Sequence, residues 1–240
     1  MVNTIRIEHG NTRMVAHRGV SGLEKENTHS AFIAAGNRSY FGVETDVHIT
    51  ADGKVIVIHD DKTTRVTGVE MVVEQTDFAT LRSLPLLDID GNPGRVDLRM
   101  PTLPEYVRIC RRYGKVCVLE LKNEMNEEQI AEVVRQVGEE GYLDQTIFIS
   151  FCFENLVRLR KILPGQKVQF LTKEIDDALL GRLLEHRFDL DIYYPSLTKE
   201  WIDRLHENGI EVNCWTVNDP AAGEQLVSWG VDYITSNILE

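Results

Sequence analysis

Three carboxylates, two histidines and two basic side chains stand at the ends of apolar runs, and their types suit the handling of a phosphate ester. Met14-Val15-Ala16 runs into His17-Arg18-Gly19, with Glu26-Asn27-Thr28 close behind. Val43-Glu44-Thr45-Asp46-Val47-His48, Val55-Ile56-Val57-Ile58-His59-Asp60 and Val118-Leu119-Glu120-Leu121-Lys122 repeat the pattern. Side chains two apart on a strand point to one face, so Glu44, Asp46 and His48 share a side, as do Val118, Glu120 and Lys122. Glu44, Asp46 and Glu120 then make an oxygen-rich set for a hard divalent cation, Mg²⁺ or Ca²⁺. Zinc would recruit more histidine or cysteine. Acids on strands that are otherwise filled inward by branched apolar side chains are costly unless a cation accompanies them.

His17 and His59 each close an apolar strand, and two imidazoles flanking one metal site can divide proton donation and acceptance near neutral pH. Arg18 has the forked donors that grip phosphate oxygens, and Lys122 adds a point charge. Both can also neutralise Glu44 and Asp46 when no substrate is bound. Together these groups suit phosphodiester cleavage, where charge builds on phosphoryl oxygens and a leaving alkoxide needs a proton. No G-x-S-x-G elbow, Walker loop or dinucleotide glycine fingerprint supports a rival chemistry.

The elements that must position these groups alternate along the chain. Eight β-rich runs, at 14–17, 42–47, 115–121, 146–150, 167–171, 191–194, 211–217 and 233–235, are separated by helical patterns at 28–36, 102–113, 127–141, 153–163, 176–187, 198–208 and 220–229. Eight strands with intervening helices predict a (β/α)₈ TIM barrel of the α/β class rather than an open doubly wound sheet. One domain is expected over residues 1–240. Residues 60–101 break the rhythm, with an extra strand at 55–59 leading in, and predict a small insertion after the second strand. No full eighth helix is expected after the last strand, and the first dozen residues are candidates to plug the barrel floor.

At 240 residues with a net charge of −12, the chain lacks the basic surface that nucleic acid requires. No apolar run suits a secretory signal or a membrane span, so a cytoplasmic protein with no stable membrane insertion is the expectation. The oligomeric state is left open. Cys110, Cys117, Cys152 and Cys214 have no zinc-ligand spacing and read as buried free thiols.

In order, H-R-G, E-N-T, E-x-D-V, a strand ending in H-D, and E-L-K resemble the glycerophosphodiester phosphodiesterases of the bacterial cytoplasmic type. These are relatives of the phosphoinositide phospholipases. The resemblance extends to Asn213-Cys214-Trp215-Thr216-Val217-Asn218, like the family's W-T-V-N, and to the closing run at 230–236. It implies a divalent metal held by Glu44, Asp46 and Glu120, and His17 and His59 as general acid and base. It also implies phosphate contacts from Arg18 and Lys122, and Trp215 packed on the glycerol moiety. The implied substrate is a small glycerophosphodiester, split to sn-glycerol 3-phosphate and an alcohol. The related phospholipases suggest a route through a cyclic phosphate. Glu26 is expected near the metal and Asn27 as a hydrogen-bonding partner. Alternatives on the same barrel are a lysophospholipase D-like enzyme and a silent phosphate-binding module; an amidohydrolase would show H-x-H at the first strand.

Overall fold

The protein is described from a computed structural model over residues 3–240. Its strands are β1 (Arg13–Ala16), β2 (Gly42–Ile49), β3 (Val55–Val57), β4 (Val116–Leu121), β5 (Thr146–Ser150), β6 (Val168–Thr172), β7 (Asp189–Tyr193), β8 (Val212–Trp215) and β9 (Tyr233–Ser236). All but β3 are parallel, and β1 pairs with both β9 and β2, closing an eight-stranded (β/α)₈ barrel. β3 folds back antiparallel on β2 and opens the segment that precedes α4. The helices are α1 (His29–Gly36), α2 (Thr64–Thr67), α3 (Phe78–Ser83), α4 (Leu103–Tyr113), α5 (Glu127–Glu139), α6 (Phe153–Ile162), α7 (Asp177–His186), α8 (Lys199–Glu207) and α9 (Pro220–Trp229).

Local chemistry sets these boundaries. The Thr102 side chain accepts from Glu105 N while the Glu105 carboxylate accepts from Thr102 N, and Gly114 ends α4 in the left-handed region. Asn126 and Gln129 make the same reciprocal cap at α5. The outward parity of the strands, including Val43, Val47, Leu119, Leu121, Ile192 and Val212, packs on the helices as the main core. Inward residues Val15, Val118, Ile147, Ile149, Leu171 and Tyr233 form a separate cluster inside the barrel. A third cluster joins Ile56 and Ile58 to Val66, Val73, Leu81, Leu86, Leu98 and Met100, giving the segment between β3 and α4 its own small core.

Carrying the strand register around the sheet from Val15 returns to position 7, the stagger of an eight-stranded barrel with shear of about 8. Inward residues therefore stack in layers drawn from alternate strands. From floor to mouth, the decisive layers are Arg13, Val116, Lys167 and Glu211; then Val15, Val118, Gln169 and Asn213; then Glu44, Ile149, Asp191 and Thr235; and then His17, Glu120, Leu171 and Trp215.

Among the described residues, the expected floor plug does not form. Residues 5–7 run along 238–240, with Ile5 N donating to Ile238 O at 3.0 Å and Ile7 N to Glu240 O at 3.0 Å. A Cβ at Gly223 of α9 would stand 3.0 Å from both Ile7 and Leu239, so this pair of segments lies on the barrel flank. It covers apolar surface beside α9, and no helix follows β9 among the described residues. The floor is filled instead by Arg13, Lys167, Glu211 and Tyr233, bonded to one another. All four cysteines are free; Cys152 is half-buried rather than buried.

Candidate active site

The strand ends bring the singled-out residues to one mouth. Asp46 and Glu120 are direct register partners on β2 and β4, and Glu44 lies two residues toward the floor. Oxygens of Glu44, Asp46 and Glu120 lie within 4.8 Å of one another, and all three residues are buried. Asp46 Oδ1 is buried without a hydrogen-bond partner. Two basic groups approach this set without filling it. Lys122 Nζ is 2.8 Å from Glu120 Oε1 and 3.7 Å from Asp46 Oδ1. Arg18 Nε stands 3.7 Å from Asp46 Oδ2 and makes no hydrogen bond. An all-oxygen donor set with an orphaned carboxylate oxygen fits a hard divalent cation.

The H-R-G turn owes its shape to the chain that crosses it. Arg18 has φ 52° and Gly19 φ 76°; a Cβ on Gly19 would come within 2.6 Å of Ala31, so α1 can lie this close only over glycine. Arg18 holds its left-handed backbone because its N–H donates to Glu44 Oε2 at 2.7 Å. Asn27, with φ 53°, donates from Nδ2 to Asp46 Oδ2 at 2.8 Å and accepts from Thr45 Oγ1 at 2.7 Å. E-N-T thus orients the second acid. Glu26 stays out of the acid cluster and bridges two arginines, meeting Arg18 Nη1 at 3.0 Å and Arg65 Nη1 at 2.6 Å.

Each histidine has a different partner. His17 Nδ1 is 2.6 Å from the amide oxygen of Asn237, which can only accept, so the proton lies on Nδ1 and Nε2, 4.0 Å from Glu44 Oε2, is left as the acceptor. His59 Nδ1 is 2.7 Å from Asp60 Oδ1. His48, on the same face of β2 as Glu44 and Asp46, is fully buried and reaches the carbonyl oxygen of His59 at 3.2 Å and Glu74 at 3.1 Å, so it steadies the turn. Arg65, from α2, donates to both Asp60 oxygens at 2.6 and 3.0 Å and to both Glu26 oxygens. One guanidinium therefore tethers the acid behind His59 and the acid behind Arg18.

The electrostatics follow from crowding acids where water is scarce. Burial, and then the charge of Asp46, push Glu44 well above the usual carboxylate range and Glu120 up to about 8. Burial also raises Asp46, but Arg18, His59, Lys122 and Asn27 overcome it and hold that acid ionised. Burial and the nearby Arg18 charge lower His17 to about 4, outweighing Asn237. His59 is lowered as well, by burial first and by Arg18 and Lys122 against the pull of Asp46 and Asp60.

Trp215 ends β8 with Phe151 and Tyr193 each 5.6 Å away, centroid to centroid. It lines a cavity of about 90 Å³ together with His17, Arg18, Glu44, His59 and Glu120. A larger cavity, about 660 Å³, opens at the opposite end around Arg13, Phe41 and Tyr233, far from the acids. Size alone would select the wrong end. Sequence reasoning missed Asn237, Arg65 and Asp191 as neighbours of the site. Only Asp191 had a signal, since Asp-Leu-Asp-Ile-Tyr alternates as a half-polar strand.

The chain is similar to known proteins over nearly its whole length. Residues 17–239 match the profile of the Glycerophosphoryl diester phosphodiesterase family. A glycerophosphodiester phosphodiesterase of Bacillus altitudinis is 28% identical over 93% of each chain. One of Bacillus subtilis is 29% identical, covering 93% of this chain and 82% of its own. Among solved structures, a phosphodiesterase of Oleispira antarctica in complex with the product sn-glycerol 3-phosphate is 27% identical and superimposes with a TM-score of 0.87, covering 94% of this chain and 93% of that one. By sequence and by fold, the chain belongs to the glycerophosphoryl diester phosphodiesterase family.

Proposed function

We propose that this protein hydrolyses glycerophosphodiesters to sn-glycerol 3-phosphate and an alcohol. The observation that carries the reading is the trio Glu44, Asp46 and Glu120, with Asp46 Oδ1 left bare beside two cations that only partly neutralise it. These three side chains would hold a divalent metal, Mg²⁺ or Ca²⁺. When bound it supplies positive charge toward the phosphoryl oxygens. Arg18 and Lys122, already poised over the same acids, exchange part of that pairing for the substrate phosphate. Trp215 offers an apolar face to the glycerol carbons.

The two histidines divide the proton work by their partners. His17, held neutral by burial and keeping its proton on Nδ1, presents a free Nε2 and accepts the proton of the attacking oxygen. His59 has a carboxylate behind it, which stabilises an imidazolium, and delivers a proton to the leaving alkoxide. The test is direct. Purified protein with Mg²⁺ or Ca²⁺ is given glycerophosphocholine, and glycerol 3-phosphate and choline are assayed enzymatically. Release of both products, abolished by chelator, is the expected result. Full activity in excess chelator would remove the metal assignment, and choline phosphate as product would move the cleaved bond.

A further inference from the structure

Asp191 is a buried acid of the mouth that the reaction above does not use. On β7 it faces Glu44 across the barrel in the same layer and is 1% exposed. No hydrogen bond or ion pair reaches its carboxyl among the described residues, and Oδ1 is wholly shielded. Its polar neighbours bond to one another and not to it: Asn213 Nδ2 donates to Gln169 Oε1 at 3.1 Å, and Thr235 Oγ1 to Asn213 Oδ1 at 3.1 Å, while Gln169 Nε2 is a second buried group without a partner. Burial, and then Glu120, push the Asp191 carboxyl well above its usual range. Such a group costs free energy in the empty protein unless a ligand completes it.

The surroundings say what kind of ligand. Asp191 lines the same 90 Å³ cavity as the metal-binding acids and the histidines, beside Ile149, Leu171, Thr235 and Trp215. At about 10–15 Å³ per water site, that space accepts a short carbon chain with its oxygens and no acyl chain. A quaternary ammonium is recognised by a cage of aromatic faces. Phe151 and Tyr193 stand higher, at the rim, 45% and 41% exposed; the walls beside Asp191 are the aliphatic Ile149 and Leu171, the hydroxyl-bearing Thr235 and one aromatic, Trp215. A hydroxyl-bearing carbon chain matches an unpaired carboxyl set in largely apolar walls.

We propose that Asp191 is a specificity-determining residue whose carboxyl receives a hydroxyl of the glycerol portion, so that the site selects polyol phosphates over alkyl phosphates. The inference rests on the glycerophosphodiester reading above. A ligand without that hydroxyl leaves the buried acid unpaired, which is how a site rejects an isostere strongly.

Calorimetric titration in Mg²⁺ buffer compares sn-glycerol 3-phosphate with propyl phosphate, the same chain without its two free hydroxyls. Wild type is expected to prefer the glycerol ester by roughly 10- to 100-fold. Asp191→Leu is expected to erase that preference while binding propyl phosphate within about threefold of wild type, and Asp191→Asn, which keeps the shape and one acceptor, to retain part of it. Equal binding by wild type, a preference surviving in Asp191→Leu, or parallel loss of both ligands would overturn the assignment. If Asp191→Leu does not fold, the wild-type preference and Asp191→Asn still decide it. A wild type that prefers the glycerol ester yet fails to cleave glycerophosphocholine would reject the enzymatic reading and leave the role of Asp191 standing.

Discussion

The two ends of this barrel each hold a cluster of charges, and they are built on opposite principles. At the floor, Glu211 meets Arg13 and Lys167 while the Tyr233 hydroxyl bonds to the same acid, so every charge has a partner. At the mouth, Glu44, Asp46 and Glu120 share Arg18 and Lys122, and an Asp46 oxygen and the Arg18 Nε remain bare. The floor has the larger cavity and the completed network; the mouth has the smaller cavity and the deficit. Completed networks hold a fold together, whereas a buried deficit is tolerated where a ligand makes it good.

Substitutions should separate the two ends. The largest effect is expected from His17→Ala and His59→Ala, each lowering turnover of glycerophosphocholine by roughly 10²–10⁴ with little change in melting temperature. Near-normal rates in both would reassign proton transfer. The next concerns the empty acid trio. Burial and the charge of Asp46 make both Glu44 and Glu120 favour the protonated form when folded; for Glu120 that contribution is fully present below about pH 4.5 and is lost as pH rises through its folded value of about 8. Metal-free protein should therefore lose stability between about pH 4.5 and 8 relative to Glu120→Gln. Saturating Mg²⁺ at about 100 times its dissociation constant should restore about 2.7 kcal/mol, with the dissociation constant itself falling at higher pH. Calorimetric melting with and without Mg²⁺ reads both; an identical pH slope in the variant would contradict the arrangement.

A smaller effect is expected at Arg65, which reaches the site only through Asp60 and Glu26. Arg65→Ala should lower kcat roughly 10-fold through loosened partners of His59 and Arg18. Arg65→Lys should recover only part, since one ammonium cannot reproduce two bidentate clamps. Steady-state kinetics on both variants checks this, and full recovery by lysine would reduce the clamp to simple charge. The smallest effect belongs to the floor. Glu211→Gln leaves two partly exposed cations without their acid and should cost about 1 kcal/mol, or roughly 2–4 °C in melting temperature, with kcat unchanged. A loss of activity there would join the two ends that the structure keeps apart.

How far the site could be read in advance differs by residue. The inward parity of Glu44, Asp46 and Glu120 follows from strand geometry, and the helix starts at Thr102 and Asn126 from the local reach of a side chain to its own backbone. The stapling of residues 5–7 along 238–240 depends on which apolar surface stays uncovered once the helices have packed. Asn237 finds His17 only because β9 closes the barrel against β1. Arg65 lies on a four-residue helix without periodicity, and nothing local aims it at Glu26 and Asp60.

By itself, the sequence determined the eight-strand alternation, the face on which each acid lies and the side-chain types a phosphate site requires, because these depend on backbone periods of two and 3.6 residues. The tertiary structure alone decided the levels. The barrel's stagger sets His17, Glu120, Leu171 and Trp215 in one layer and turns Asp191 toward Glu44 across the cavity. It also leaves the floor charges paired and the mouth charges short of partners. Closure joins residues far apart in the chain, and no local period encodes their height along the barrel axis.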